Sequence, residues 1–132
     1  MRNLTLEDIP KLITPDGYVY LGSPYSKYPD GTDQACRAIC LIAAELVKRR
    51  VRIWCPIAHS HAIATQGGLD ALDHTIWMYQ DEGFEPNATA LVIAKMKTWD
   101  MSYGLSVERA NFEAAGKPVW GLDPKLLGIL GA

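Results

Sequence analysis

Apolar and polar positions divide this chain into short hydrophobic runs and longer segments with helical spacing. Four apolar runs predict strands, at residues 18–21, 51–55, 89–94 and 118–122. Helical spacing predicts helices from Thr32 or Asp33 to near Arg50, at 69–82 and at 105–115, with a short final helix at 124–130. Residues 57–68 are predicted to form a loop with one helical stretch. Because strands alternate with helices, we expect an α/β fold with a mainly parallel sheet and helices on both faces.

The length of 132 residues predicts one domain, 1–132, with its own hydrophobic core. Residues 1–17 form a lead-in segment that ends at the turn Thr14-Pro15-Asp16-Gly17, and the pattern does not place it in the fold. The prediction is therefore a sheet of four to five strands.

Composition argues against a polyanionic or lipid partner. The chain is 48% hydrophobic and 21% charged with a net charge of −2, which gives no electrostatic reason to expect a nucleic-acid polymer or a membrane. No apolar run approaches the ~20 residues that span a bilayer, and no signal-peptide pattern is visible. Three cysteines without framework spacing are expected to be free thiols. We expect a cytoplasmic protein.

Two predicted loops carry the candidate chemistry. In parallel sheets, ligands bind outside the carboxyl ends of the strands. Gly22-Ser23-Pro24-Tyr25-Ser26 follows the first predicted strand, and the segment from Trp99 to Glu108 follows the third. Both are rich in hydroxyl groups and small residues, which suits phosphates or sugars. Neither loop matches a nucleotide-triphosphate loop or a dinucleotide fingerprint, so no cofactor is expected.

Glu108 and Asp81 are the candidate catalytic residues. Glu108 is expected in the first turn of a helix, where the dipole favours an ionised carboxylate that can act as a nucleophile. Asp81, at the end of the preceding predicted helix, brings a second carboxylate to the same edge of the sheet. Two carboxylates beside a sugar are the recurring arrangement for cleaving glycosidic bonds. The alternative is that each is an ordinary acid at a helix end.

Histidines offer a weaker signal. His59 and His61 have a spacing found in metal sites, with His74 as a distant third candidate, but a catalytic zinc site needs about three protein ligands with defined spacing. We therefore expect no metal, and His59 is a candidate for substrate contact or for a structural role. A Ser–His–Asp hydrolase is not indicated, because Gly-x-Ser-x-Gly is absent.

Two segments resemble a known superfamily. Tyr20-Leu21-Gly22-Ser23-Pro24-Tyr25-Ser26 resembles the Tyr-Leu-Ala-Gly-Pro opening of nucleoside 2-deoxyribosyltransferase-like proteins. Their closing motif is similar to Trp99-x-x-Ser102-x-Gly104-x-x-x-Glu108-x-x-x-Phe112-x-x-x-Gly116-Lys117-Pro118. The resemblance covers about residues 18 to 122. It implies a flavodoxin-like, doubly wound fold.

The resemblance also implies roles. Glu108 matches the nucleophile, and Asp81 matches the carboxylate before the third strand. Ser102 stands where the transferases usually carry Asp and where the monophosphate hydrolases carry a phosphate-contacting Ser. Substrate or phosphate contacts are expected at Tyr20, Gly22, Ser23, Tyr25, Ser26, Ser102 and Gly104, with His59 and Trp99 as further candidates for substrate contact.

The expected function is cleavage of the N-glycosidic bond of a nucleoside 5′-monophosphate or a (deoxy)nucleoside, without a cofactor. The alternatives are 2-deoxyribosyl transfer between bases, a nucleotide-binding module without turnover, and a purely structural domain. Members of the superfamily form dimers in which a neighbour completes the site, so the resemblance implies a homo-oligomer (a dimer or higher).

Overall fold

A computed structural model describes all 132 residues and shows one parallel sheet of five strands in the order β1-β5-β4-β2-β3. The strands are β1 (Arg2–Asn3), β2 (Val19–Gly22), β3 (Ile53–Trp54), β4 (Ala90–Ala94) and β5 (Val119–Leu122). The helices are α1 (Thr32–Lys48), α2 (Pro56–Gly67), α3 (His74–Glu82) and α4 (Tyr103–Ala114), with short 3-10 helices at Ile9–Leu12, Glu85–Asn87, Trp99–Met101 and Pro124–Leu127. The predicted α/β class is confirmed, and the arrangement is consistent with a flavodoxin-like fold.

The core lies on both faces of the sheet, because successive side chains of a strand point to opposite faces. In β2, Val19 and Leu21 join a cluster of 18 buried residues that includes the apolar face of α1. Tyr20, between them, joins a cluster of six buried residues with Leu105 and Phe112 of α4. The central strands are thus buried on both sides, as the continuous apolar runs predict.

The first 17 residues contribute the strand that the pattern leaves unplaced. Arg2 and Asn3 pair with β5 at the edge of the sheet, opposite Trp120 and Gly121. Both residues of β1 are exposed, so no apolar run marks them. The following 3-10 helix, Ile9–Leu12, packs against the core through its first and last residues, which are buried.

Two predictions about helices are wrong. The segment predicted as mainly loop is a complete helix, α2, with Pro56 in its first turn and Gly68 ending it in the left-handed conformation (φ 73°). Conversely, residues 69–73 of the predicted 69–82 helix are not helical. Asp70 accepts a hydrogen bond from the amide of Leu72, and Asp73 caps α3 by accepting from the amide of Thr75. No helix in the structure is both long enough and apolar enough to cross a membrane.

Candidate active site

A pocket of about 320 Å³ opens beside the carboxyl ends of β2 and β4, within the volume range of small-molecule sites. Its walls come from the loop after β2, from α2, from the segment 71–85 and from the start of α4. The structure brings together seven residues predicted from the sequence: Ser23, Tyr25, Ser26, Asp81, Ser102, Gly104 and Glu108. These residues come from both segments that carry the superfamily resemblance and from the chain between them.

Glu108 lies in the second turn of α4, so the prediction that it lies in the first turn is wrong. The helix starts two residues earlier than predicted because Ser102 caps it. Ser102 Oγ accepts a hydrogen bond from the amide of Leu105 at 3.3 Å. One turn further on, Glu108 reaches the pocket, while its Oε2 is shielded from solvent and has no hydrogen-bonding partner.

The electrostatics of Glu108 differ from the expectation of an ionised carboxylate. Burial raises the pKa of Glu108 well above 4.5, and the neighbouring charges of Asp81 and Glu85 raise it further. The hydroxyl of Tyr20 lies nearby and lowers the pKa by a smaller amount. Its oxygen is buried too, and the contact lacks the geometry of a regular hydrogen bond. Both effects favour the protonated form of Glu108 in the ligand-free protein.

Asp81, in the last turn of α3, is the second carboxyl group of the pocket. Burial and the charge of Glu85 raise the pKa of Asp81 from 3.8 to about 7. Glu85 accepts a hydrogen bond from Asn111 Nδ2 at 3.2 Å, across from α4. Neither Asp81 nor Glu108 takes part in an ion pair. Both carboxyl groups are thus free to exchange protons with a ligand.

The lining of the pocket is strongly one-sided in charge. Asp81, Glu82, Glu85 and Glu108 contribute four carboxyl groups, whereas no lysine or arginine is among the 19 lining residues. Carboxylates with low-dielectric walls and no compensating cation create a negative potential. The pocket therefore favours a ligand or transition state that carries positive charge.

Hydroxyl groups form a second part of the lining of the pocket. Ser23 is 6% exposed, and its Oγ is buried without a hydrogen-bonding partner. Ser26 and Ser102 also line the pocket. The start of α4 adds unpaired backbone amides and the positive end of the helix dipole, which together suit an oxygen-rich or anionic group.

Gly22 allows the strand β2 to approach α4 closely. A Cβ atom at this position would lie 2.8 Å from Leu105 Cδ2 and 3.2 Å from Glu108 Oε2. A larger residue would therefore displace the carboxyl group, which gives the glycine of the opening segment a physical reason. Gly22 does not line the pocket, but its lack of a side chain leaves room for the carboxyl group of Glu108.

Three other predicted contacts do not line the pocket. Tyr20 is fully buried beneath Glu108 and packs on Phe112, with ring centroids 5.7 Å apart. His59 packs against Trp54 with tilted rings whose centroids are 4.8 Å apart. Trp99 lies below Lys95, whose Nζ is 5.4 Å from the ring centre. Direct contact of these residues with a substrate stays a prediction that the geometry does not favour.

The two histidines of the candidate metal spacing have different partners. His61 contacts Tyr25 and Asp33, whereas His59 belongs to the aromatic stack on Trp54 and Phe84. His74 lies apart from both and meets Tyr103 edge to face across the pocket, with ring centroids 6.0 Å apart. The structure holds no cluster of three or more candidate metal ligands.

Sequence reasoning missed the residues that surround the two candidate carboxyl groups. Asn111 follows Glu108 by three positions and Glu85 follows Asp81 by four, so helical spacing offers a signal for Asn111. Helical spacing does not predict Glu85, because α3 ends before it and Glu85 lies in the 3-10 helix Glu85–Asn87. The aromatic pair His74 and Tyr103 carries no signal in the sequence, because its members approach each other only in the folded chain.

Comparison with known proteins gives a family but no activity. No curated protein matches this chain. The family model described as "Domain of unknown function (DUF1937)" matches residues 17–123, which include every residue that lines the pocket. The match spans most of the 132 residues, so the chain belongs to the DUF1937 family.

Proposed function

We propose that this protein cleaves the N-glycosidic bond of a nucleoside or a nucleoside 5′-monophosphate and that it belongs to the nucleoside 2-deoxyribosyltransferase-like superfamily. One observation carries the proposal: Asp81 and Glu108, 27 positions apart in the chain, line the same pocket, and the charge of Asp81 acts on Glu108. A pair of carboxyl groups at a sugar-sized pocket is the arrangement that glycosidic cleavage uses.

The charge of the pocket supports this reaction class. Breaking the bond between the anomeric carbon and the base gives the sugar oxocarbenium-like positive charge. The carboxyl groups of the lining, which have no lysine or arginine among them, stabilise that charge in their ionised forms more than they stabilise a neutral substrate. Catalysis depends on this difference between transition state and ground state.

The proton inventory suggests how the pair works. In the ligand-free protein burial favours the protonated form of Glu108, and Asp81, with a pKa of about 7, is partly ionised near neutrality. Positive charge developing on the sugar lowers the pKa of Glu108, and its proton passes through Asp81 to the departing base. The Glu108 carboxylate then bonds to the anomeric carbon, and water or a second base breaks that ester.

The hydroxyl groups of the pocket support a 5′-monophosphate as substrate. The unpartnered Ser23 Oγ and the start of α4 at Ser102 offer donors to a phosphate. We place the phosphate beside these donors.

The experiment incubates the protein with adenosine, guanosine, cytidine, uridine, their 2′-deoxy forms and their 5′-monophosphates, with and without a free acceptor base. Chromatography then separates hydrolysis from transfer. Glu108→Gln is expected to lower the rate by about 100-fold or more while keeping the fold. Glu113→Gln makes the same change on the exposed side of α4 and serves as the control. Base release by Glu108→Gln at the parental rate, or no release by the parent, would contradict the proposal.

We further propose that the protein acts as a homodimer in the cytoplasm. None of the residues of α3 is buried, and its apolar side chains Ile76 and Tyr79 are 38% and 75% exposed, as are Leu69 and Leu72 before it at 48% and 49%. A second copy that covers this surface would bury it. Three free cysteines fit a reducing compartment.

A further inference from the structure

A chain of three polar side chains joins α1, α2 and the loop after β2 beside the pocket. Tyr25 Oη lies 2.5 Å from His61 Nδ1, and His61 Nε2 lies 2.9 Å from Asp33 Oδ1. The His61 side chain is 11% exposed, whereas Asp33 is 86% exposed at the start of α1. Among the three, Tyr25 alone lines the pocket. Whatever His61 and Asp33 do for a ligand, they do through Tyr25.

The chemistry of the partners sets the direction of each hydrogen bond. An ionised carboxylate only accepts, so Asp33 requires a proton on His61 Nε2. A neutral imidazole with its proton on Nε2 presents a lone pair at Nδ1. With the ring neutral, Tyr25 therefore donates its hydroxyl hydrogen to Nδ1, and its oxygen keeps only lone pairs for any further partner.

The phenol of Tyr25 remains protonated and can make this donation. Burial raises the pKa of Tyr25, and the nearby Cys36 and Asp33 raise it further. The hydroxyl of Thr32 lowers it by an amount that does not offset burial. The ring is held in place as well, because it packs on the main core and meets His61 edge to face, with centroids 5.6 Å apart.

We propose that Asp33 and His61 are positioning residues that fix Tyr25 as a hydrogen-bond acceptor on the pocket wall, so that Tyr25 selects a ligand presenting a hydroxyl or amino donor. The inference rests on the proposed function, which it deepens: the donor facing Tyr25 is a sugar hydroxyl or an exocyclic amine of a nucleoside. A phosphate, which at neutral pH has mainly acceptor oxygens, offers Tyr25 no matching donor.

Two substitutions at position 61 separate the two hydrogen bonds. His61→Gln places its amide near the former Nε2 and removes the acceptor for Tyr25. His61→Asn places an amide oxygen near the former Nδ1 and restores that acceptor. Tyr25→Phe deletes the hydroxyl itself. Tyr28→Phe makes the same change in the same loop, at a residue that does not line this pocket, and serves as the control.

The kinetic measurement uses the nucleoside or 5′-monophosphate of the panel above that the parent cleaves fastest. Tyr25→Phe and His61→Gln are each expected to raise KM by about 3- to 10-fold, the value of one neutral hydrogen bond, and to change KM more than kcat. His61→Asn recovers most of the loss seen in His61→Gln. The double variant Tyr25→Phe/His61→Gln is expected to match Tyr25→Phe alone. KM values equal to that of Tyr28→Phe, or losses that multiply in the double variant, would overturn the proposal.

A readout without substrate separates this proposal from the proposed function. Nitrogen-15 NMR of the ligand-free parent is expected to show the neutral His61 ring protonated on Nε2, with an Nδ1 signal that moves in Tyr25→Phe. His61→Gln assigns the signals by deleting them, which distinguishes them from those of His59 and His74. If the parent cleaves nothing in the panel, the proposed function fails, while these spectra still decide the polarity of Tyr25. A proton on Nδ1, in the neutral or in the doubly protonated ring, overturns the inference.

Discussion

The substitution Asp81→Asn is expected to stabilise the protein while it removes a candidate catalytic group. Burial and Glu85 shift the pKa of Asp81 from 3.8 to about 7, which corresponds to at most about 4 kcal/mol of folding free energy. Asp81 is half-buried and faces the pocket, so water screens part of this cost. We therefore expect Asp81→Asn to gain about 2 kcal/mol where the aspartate would be ionised.

The pH dependence follows from the direction of the shift. Below about pH 4 the carboxyl group is protonated in both the folded and the unfolded chain and costs nothing. As the pH rises, the unfolded chain ionises first while the folded protein retains its proton, so the free energy of unfolding declines until about pH 7. Glu108, whose pKa is also raised, adds a decline of the same sign above its ordinary range.

Urea unfolding at about pH 3.5 and about pH 8.5 tests this prediction. Asp81→Asn should differ little from the parent at the lower pH and exceed it at the higher pH. Glu82→Gln, the same kind of change at the adjacent, exposed residue, controls for the loss of net charge. If Asp81→Asn is no more stable than the parent at about pH 8.5, then burial and the charge of Glu85 do not destabilise the ionised form of Asp81.

Three further substitutions test other parts of the structure. Gly22→Ala places a Cβ 2.8 Å from Leu105 Cδ2 and 3.2 Å from Glu108 Oε2. We therefore expect the free energy of unfolding, measured in urea, to fall by about 1–3 kcal/mol. We also expect kcat to fall by more than this loss of stability alone would cause. Ser102→Ala removes the cap of α4 and should lower the free energy of unfolding by about 1 kcal/mol in thermal unfolding. In this variant the affinity for a 5′-monophosphate should fall more than the affinity for the nucleoside. Equal losses would argue against a phosphate beside Ser102. Ile76→Glu on α3 should shift the sedimentation coefficient from dimer to monomer, whereas an unchanged coefficient would place any interface elsewhere.

The sequence predicts the centre of the sheet better than its edges. β2 and β4 are buried on every residue, so their apolar runs stand out. β1 consists of two exposed residues, which leave no apolar pattern. β3 lies within the predicted strand 51–55, but only Ile53 and Trp54 form it. The face that runs from Leu69 to Tyr79 shows helical spacing, yet in a single chain its apolar side chains stay 38% to 75% exposed. Periodicity identifies a face that needs covering and does not say whether the cover belongs to the same chain.

The sequence predicts many of the residues that line the candidate site but not the protonation of its carboxyl groups. Topology places the loops after β2 and β4 together, which is why seven of the predicted residues share one pocket. The ionised state expected for Glu108 depended on a position in the first helical turn, and a cap two residues earlier moved it into a buried second turn. Desolvation depends on what surrounds a group in three dimensions, and Asp81 and Glu85 come from a part of the chain without a readable motif.

The indole of Trp77 gives this molecule a natural optical reporter. Of its four tryptophans, Trp77 is the one that lines the pocket, where its Nε1 donates to the backbone oxygen of Asp70 at 2.9 Å and anchors the ring. A purine or pyrimidine that enters beside it should quench its emission, so compound libraries can be screened without labels. Replacing Trp54, Trp99 and Trp120 with phenylalanine would leave a single-emitter protein whose fluorescence follows occupancy directly.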